Sequence, residues 1–221
     1  MRGLIVPASD LLFGARCAGC GGPAMLLCRA CGGAVRPDPQ VVRLAVASHG
    51  IPAVAAGPHA GLLRRIVLGW KEEGVTRLTD VLAHHLAASV ITHLTPERPV
   101  LLVPVPTSRR SRRARGCDLV DDLARAAARL LSRAGVDVSV EQALAVARAT
   151  ADQAGLDADA RRANLDGAFR PRRIRAGTGD IVLVDDVLTT GSTVSEAVRA
   201  LAEVGRRPVG ISAIAATPRR S

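Results

Sequence analysis

Two adjacent carboxylates, Asp185 and Asp186, close an apolar run, Ile181 to Val184, and stand just before a Thr-Thr-Gly-Ser-Thr turn at Thr189–Thr193. A buried strand delivers the acids to its end. The turn then leads into a segment whose apolar residues Val194, Ala197, Val198 and Leu201 recur at helical spacing. A loop at a helix N-terminus presents unpaired N–H groups and the positive end of the helix dipole, which makes an anion site. Thr189, Thr190, Ser192 and Thr193 add hydroxyl donors, and Gly191 permits close backbone approach. Such a pocket fits a monophosphate. The neighbouring acids suit a sugar diol and Mg²⁺ held nearby through water. The G-x4-G-K-[ST] pattern is missing, so this is no Walker A loop. A receiver-type aspartate pair leaves the hydroxyl-rich loop unexplained, and the bland alternative is a solvent-facing strand end before a capped helix. Thr193 with Glu196 forms the expected capping box, and Gly205 ends a helix running from about Val194 to Val204.

A second constellation is Cys17, Cys20, Cys28 and Cys31, two C-x2-C pairs separated by seven residues. Each pair can turn two thiolates toward one point, and the glycines around them supply the turns. Four thiolates complete a tetrahedral Zn²⁺ shell with no open position, a structural rather than a catalytic site. Disulfides or redox thiols are the alternatives, and two matched knuckles favour zinc. So short a segment has little core, so the metal supplies most of its folding energy. Cys117 stands alone and reads as packing.

Arg109, Arg110, Arg112, Arg113 and Arg115 crowd one short stretch after an apolar run, Pro99 to Pro106. Three readings stay open: a solvated basic turn, a pyrophosphate site suited to guanidinium forks, and contact with a nucleic-acid backbone.

These groups need a scaffold. Leu62, Leu63, Ile66, Val67 and Trp70 mark a helix, and residues 76–94 a second, with His84, His85 and His93 expected as solvated helix residues. A long helix spans about Asp118 to Ala134, a strand region lies within residues 135–148, and a last strand follows Gly205. Strands alternating with helices predict a parallel sheet covered on both faces, with ligands at the carboxyl ends of its strands.

The chain of 221 residues is 48% apolar, enough for one core and a small appendage. Its aromatics are Phe13, Trp70 and Phe169, which leaves few platforms for stacking on bases. No apolar run reaches the roughly 18 residues of a membrane span, and the first residues lack a signal-peptide core. The chain is therefore expected to be soluble and cytoplasmic. Net charge is +10, carried almost wholly by arginine, and Lys71 is the one lysine. Such a surface attracts polyanions in general, phosphorylated small molecules included.

The stretch "IVLVDDVLTTGST" resembles the phosphoribosyl-pyrophosphate (PRPP) motif of type I phosphoribosyltransferases. The whole chain resembles their ComF-type branch, named for DNA uptake in competence. Its shared marks are the four cysteines, the Lys71–Gly74 segment, Val103–Pro106 with Arg109, Arg113, Arg115 and Gly116, and Gln153, Arg161, Asn164 with Gly167–Phe169. The resemblance implies an α/β, parallel-sheet phosphoribosyltransferase-type (Rossmann-like) domain at 46–221, after a zinc module and linker at 1–45. It implies catalytic roles for Asp185, Asp186 and Arg161. PRPP or a related sugar phosphate, with Mg²⁺, is expected to meet Thr189, Thr190, Gly191, Ser192, Thr193, Arg109, Arg113 and Lys71. Residues 148–164 resemble the mobile catalytic loop of that fold. The rival function is a non-catalytic module of DNA uptake or recombination that contacts DNA-processing proteins and single-stranded DNA. One departure stands out: Cys117-Asp118-Leu119 replaces the usual Phe-Asn-Gln, putting an acid where an amide is common.

Overall fold

Val100–Pro104 (β3) and Asp180–Leu188 (β7) are buried along almost their whole length, so neither has a face for water and both must lie inside a sheet. They pair in parallel, Val100 opposite Asp180 through Pro104 opposite Val184. The computed structural model describes residues 16–46, 49–107, 116–148, 165–174 and 179–218. Within them, Gln40–Val41 (β1), Ala53–Ala55 (β2), Val138–Val140 (β4) and Gly210–Ala216 (β8) complete a sheet of order β1-β2-β8-β7-β3-β4. Every neighbouring pair is parallel except β1 with β2. Leu144–Val146 (β5) and Phe169–Pro171 (β6) form a separate antiparallel pair.

Helices cover both faces. Gly61–Lys71 (α2), Thr79–Ile91 (α3) and Leu119–Arg133 (α4) pack on one side, where Ile66, Trp70, Leu82, Leu86, Leu123 and Leu131 meet Val182, Val184 and Ile214. Ser192–Ala202 (α5) and the β5–β6 pair take the other, where Val194, Leu201, Leu144 and Phe169 meet Ile181, Leu183 and Ile211. With so few aromatics, this core is built from aliphatic side chains plus Phe169 and Trp70, whose indole N–H donates to Thr79 Oγ1 at 2.9 Å. A short helix, Arg29–Ala34 (α1), belongs to the cysteine segment. β1 precedes the expected division at residues 45/46, yet it pairs into the large sheet.

The helical periodicities are realised as expected, with two differences. His85 is not solvated: it is 1% exposed within α3, and His93 is half-buried with Nε2 bonded to the Ile211 carbonyl at 3.2 Å. α3 is apolar on nearly all sides, so the face carrying His85 is inside. α5 begins at Ser192, before the expected Thr193 cap, because Gly191 takes the N-cap position in the left-handed region with φ of 92°. Among the described residues no helix is long and apolar enough to cross a membrane.

Candidate functional site

β7 does not stop before its acids; both lie inside the strand. Ile181 and Leu183 join the α5 side, and Val182 and Val184 the α2–α4 side. Beyond Asp186 the parity reverses, with Val187 on the α2–α4 side and Leu188 on the other. The register with β8 runs Asp185 opposite Ala213, then Val187 opposite Ala215. The register does not slip, and at Asp186, between these two pairs, side chains serve the backbone: Asp185 Oδ1 accepts the Asp186 N–H at 2.8 Å, and Asp186 Oδ1 accepts the Val187 N–H at 2.6 Å.

The two acids are therefore unequal. Asp186 is buried, and its Oδ2 lies 2.6 Å from Lys71 Nζ at the end of α2. The chain's one lysine thus pairs with one of its two adjacent acids. Asp185 is pushed up to about 7, by burial first and by the Asp186 charge second, while Lys71 and the Asp186 N–H pull the other way. Neither acid stands at an open strand end; the expected solvent-facing position is corrected by α2, which folds over it.

The Thr-Gly-Ser turn follows directly. Thr190 Oγ1 bonds Ser192 Oγ at 3.0 Å and accepts the Ser192 N–H at 3.4 Å. Thr189 is exposed, Thr190 and Thr193 are half-buried, and Gly191 and Ser192 are buried. Gly191 is required for a reason the sequence conceals. A Cβ there would lie 2.8 Å from Leu44 Cβ, and the Val46 N–H donates to the Thr190 carbonyl at 2.9 Å. The close approach is by residues 44–46 of the same chain. Glu196 also differs from expectation. Its carboxylate does not cap α5. It takes the Phe169 N–H at 3.1 Å and pairs with Arg199, whose guanidinium donates to the Phe169 carbonyl at 3.1 Å. The pair thus serves as a strand partner for Phe169, tying β6 to the helix that begins at the turn.

At the carboxyl end of β3, the strand paired with β7, a cleft opens between Val105, Pro106, Asp118, Gln142, Arg170 and Arg172. Asp118 caps α4: its Oδ1 accepts the Asp121 N–H at 3.4 Å and the Thr107 hydroxyl at 2.9 Å. The acid at the departure from the family pattern thus has a role that needs an acceptor. Arg109, Arg113, Gln153, Arg161 and Asn164 lie outside the described residues. Gln142, Arg170 and Arg172 carried no signal in the sequence, since a short paired strand leaves too little periodicity to read.

The cysteines come together as their spacing requires. The Sγ atoms of Cys17, Cys20, Cys28 and Cys31 all lie within 4.8 Å of one another, and Cys20 and Cys28 are 3.8 Å apart. A tetrahedron with Zn–S bonds of about 2.3 Å has edges of about 3.8 Å, so the set fits the ion. Burial disfavours the Cys17 thiolate, but N–H donation from Cys28, Cys20 and Gly19 outweighs it and draws Cys17 down to about 6. Cys31 is pushed up to about 12, by its hydrogen bond with Cys28 and by burial. A divalent cation binds sulfur as thiolate, so its binding would release protons from the set. The knuckle docks on α2: Arg65 donates to the Gly19 carbonyl, and a Cβ on Gly19 would sit 2.6 Å from Leu62. Cys117 packs against the α2–α4 core, as expected.

Residues 74–221 match the family described as Phosphoribosyl transferase domain. Over 196 residues the chain is 31% identical to the DNA utilization protein YhgH of Escherichia coli (strain K12), covering 88% of this chain and 81% of that protein. The Salmonella typhimurium protein of the same name is 32% identical over the same span and the same shares of both chains. Among solved structures, HGPRT-ase from Leishmania tarentolae matches with 18% identity over 72% of this chain and 80% of that one, at a TM-score of 0.30, too low to bear on the fold.

Proposed function

The chain belongs to the Phosphoribosyl transferase domain family, and from that premise we propose that it binds PRPP with Mg²⁺ at the carboxyl edge of β7 and transfers phosphoribose to an acceptor, releasing pyrophosphate. One observation carries the reading: the unequal acid pair runs within a few residues into a hydroxyl turn at the N-terminus of α5.

Each part has a task. Thr190, Ser192 and the first N–H groups of α5 hold the 5′-phosphate. Asp185 and Asp186 accept the ribose hydroxyls, and Asp186 exchanges part of its bond to Lys71 for a hydroxyl. Lys71 then turns toward the phosphates. Arg170 and Arg172 face the departing pyrophosphate at the end of β3, with Arg109 and Arg113 as their expected companions. As the C1–O bond to pyrophosphate lengthens, positive charge grows on the sugar, and the carboxyl oxygens of Asp185 and Asp186 beside it stabilise that charge. Asp185 and Asp186 are hard oxygen donors that suit Mg²⁺, which when bound neutralises pyrophosphate charge. Cys17, Cys20, Cys28 and Cys31 would hold Zn²⁺ as a structural ion docked on the helix that ends in Lys71.

A second reading draws on the relatives named as DNA utilization proteins and on the net charge of +10: a module of DNA uptake or recombination that contacts nucleic acid and DNA-processing proteins. The two readings are compatible on one chain. The first is tested by calorimetric titration with PRPP and Mg²⁺, followed by the Asp185→Asn, Asp186→Asn pair. At least about tenfold weaker binding is expected, since ~1.4 kcal/mol already corresponds to that factor. No binding at millimolar PRPP would refute it and leave the module reading in first place.

A further inference from the structure

α5 buries a charge. Glu196 stands one turn past Ser192 with its side chain 5% exposed, on a helix whose inner face is otherwise built from Val194, Ala197, Val198 and Leu201. Its Oε1 accepts the Phe169 N–H at 3.1 Å. The Arg199 guanidinium meets both Glu196 oxygens, at 2.6 and 2.9 Å, and donates to the Phe169 carbonyl at 3.1 Å. A buried ion pair adds little net stability, because desolvation offsets its attraction. Its bonds do have direction, however. An apolar contact here would let β6 slide along α5, whereas an acceptor and a donor aimed at the two backbone groups of one residue hold it in one register.

The held element carries one half of the site. β5 and β6 form a sheet of their own, outside the six-stranded one. They move as a unit: beyond their ladder the Ala147 N–H donates to the Ala168 carbonyl at 2.8 Å, and Arg148 Nε to the Asp166 carbonyl at 3.1 Å. Arg170 follows Phe169 directly and, with Arg172, lines the cleft at the end of β3. The helix at the other end of the link begins at the hydroxyl turn. Glu196 and Arg199 thus join the element that starts at the turn to the element that bears the arginines.

We propose that Glu196 and Arg199 are positioning residues that set the separation of two anion sites, the hydroxyl turn of α5 and the Arg170–Arg172 face of β6, so that a ligand charged at both ends binds more tightly than either end alone. This rests on the PRPP reading above. PRPP is a 5′-phosphate and a pyrophosphate joined through one ribose. When the sites are held at the span of the ligand, binding of one end presents the other at high effective concentration. When the span is loose, that gain falls although each site survives. Preference for the pyrophosphorylated sugar over its monophosphate is then set by a link that acts through Phe169.

Calorimetry with Mg²⁺ compares PRPP, ribose 5-phosphate and pyrophosphate on the wild type, Glu196→Ala, Glu196→Gln and Arg199→Lys. Glu196→Ala is expected to weaken PRPP at least about tenfold while ribose 5-phosphate and pyrophosphate each stay within about threefold of wild type. Glutamine keeps an oxygen for the Phe169 N–H, so Glu196→Gln is expected to hold PRPP within about threefold. Arg199→Lys keeps the charge beside Glu196 but cannot fork to the Phe169 carbonyl. It gives the same split in a milder variant, at least about threefold for PRPP with both fragments unmoved, and decides the matter should Glu196→Ala not fold. Equal losses for PRPP and its fragments are what a merely loosened fold would give, and they overturn the proposal, as does wild-type PRPP affinity in Glu196→Ala. Wild-type protein that binds PRPP no more tightly than the better fragment has no linkage to lose, and overturns it too. Wild-type protein that binds no PRPP refutes the underlying reading, and the positioning role falls with it.

Discussion

Replacing Asp185 by asparagine and replacing Asp186 by asparagine are expected to move stability in opposite directions, although the residues are adjacent and chemically identical. Asp185 sits at about 7 in the folded protein against an ordinary value of 3.8. Its folded value is raised, so its contribution to stability is complete below about pH 4 and is lost as pH climbs through about 7. Each pH unit in that window is worth at most about 1.4 kcal/mol, an upper limit near 4 kcal/mol across it. Partial exposure of Asp185 and its coupling to Asp186 reduce this to about 1–2 kcal/mol. The substituted amide keeps an Oδ1 for the Asp186 N–H but does not titrate. Asp185→Asn is therefore expected to match wild type at pH 4 and exceed it by about 1–2 kcal/mol at pH 8. At roughly 2–4 °C per kcal/mol for a chain of this size, Tm rises by about 2–8 °C. Asp186→Asn does the reverse. It removes the carboxylate that lies 2.6 Å from the Lys71 ammonium, on a side chain 37% exposed. The cost is about 1–2 kcal/mol, below the usual figure for a fully buried pair because water reaches the lysine. Lys71→Met combined with Asp186→Asn should recover part of that loss. Urea unfolding followed by circular dichroism at pH 4, 6 and 8 reads all of these. The same pH slope in Asp185→Asn and wild type, or the same sign for both single changes at pH 8, would refute the unequal environments.

Gly191→Ala places a Cβ against Leu44 at a left-handed φ, so a loss of about 2–4 kcal/mol is expected in urea unfolding, partly recovered by Leu44→Ala. Glu196→Ala strips the Phe169 N–H of its partner and Arg199 of one of its two carboxylates; about 1–3 kcal/mol is expected to be lost, with faster hydrogen exchange at the Phe169 amide. Protein purified without added metal is expected to carry about one zinc per chain by elemental analysis, and stripping it should expose the cysteines to alkylation. Zinc retained after replacement of all four cysteines would count against the site. Any affinity for single-stranded DNA should fall steeply with salt, and alanines at Arg109, Arg110, Arg112, Arg113 and Arg115 should flatten that slope in a fluorescence anisotropy titration. A base-selective, salt-insensitive affinity would contradict it.

What the amino-acid order determined by itself was local. The C-x2-C pairs brought four sulfurs together because a knuckle needs only its own few residues. Residues 99–106 and 181–184 read as buried strands because they offer water no polar face, and the period of α2 and α4 marked their inner sides. The acid pair and the threonine turn were legible for the same reason: strand end, turn and helix start are contiguous in the chain. Tertiary structure decided everything that depended on which surfaces meet. Lys71 reaches Asp186 across more than a hundred positions, and only the packing of α2 against the sheet makes one acid an ion-pair partner while burial holds the other above the ordinary carboxyl range. His85 is inside because α3 is enclosed, which its pattern alone did not reveal. Glu196 was expected to cap its own helix, but a carboxylate goes where a buried donor lacks a partner, and the Phe169 N–H was that donor. Gly191 was decided at the same level: a glycine's need shows only when another segment lies against it.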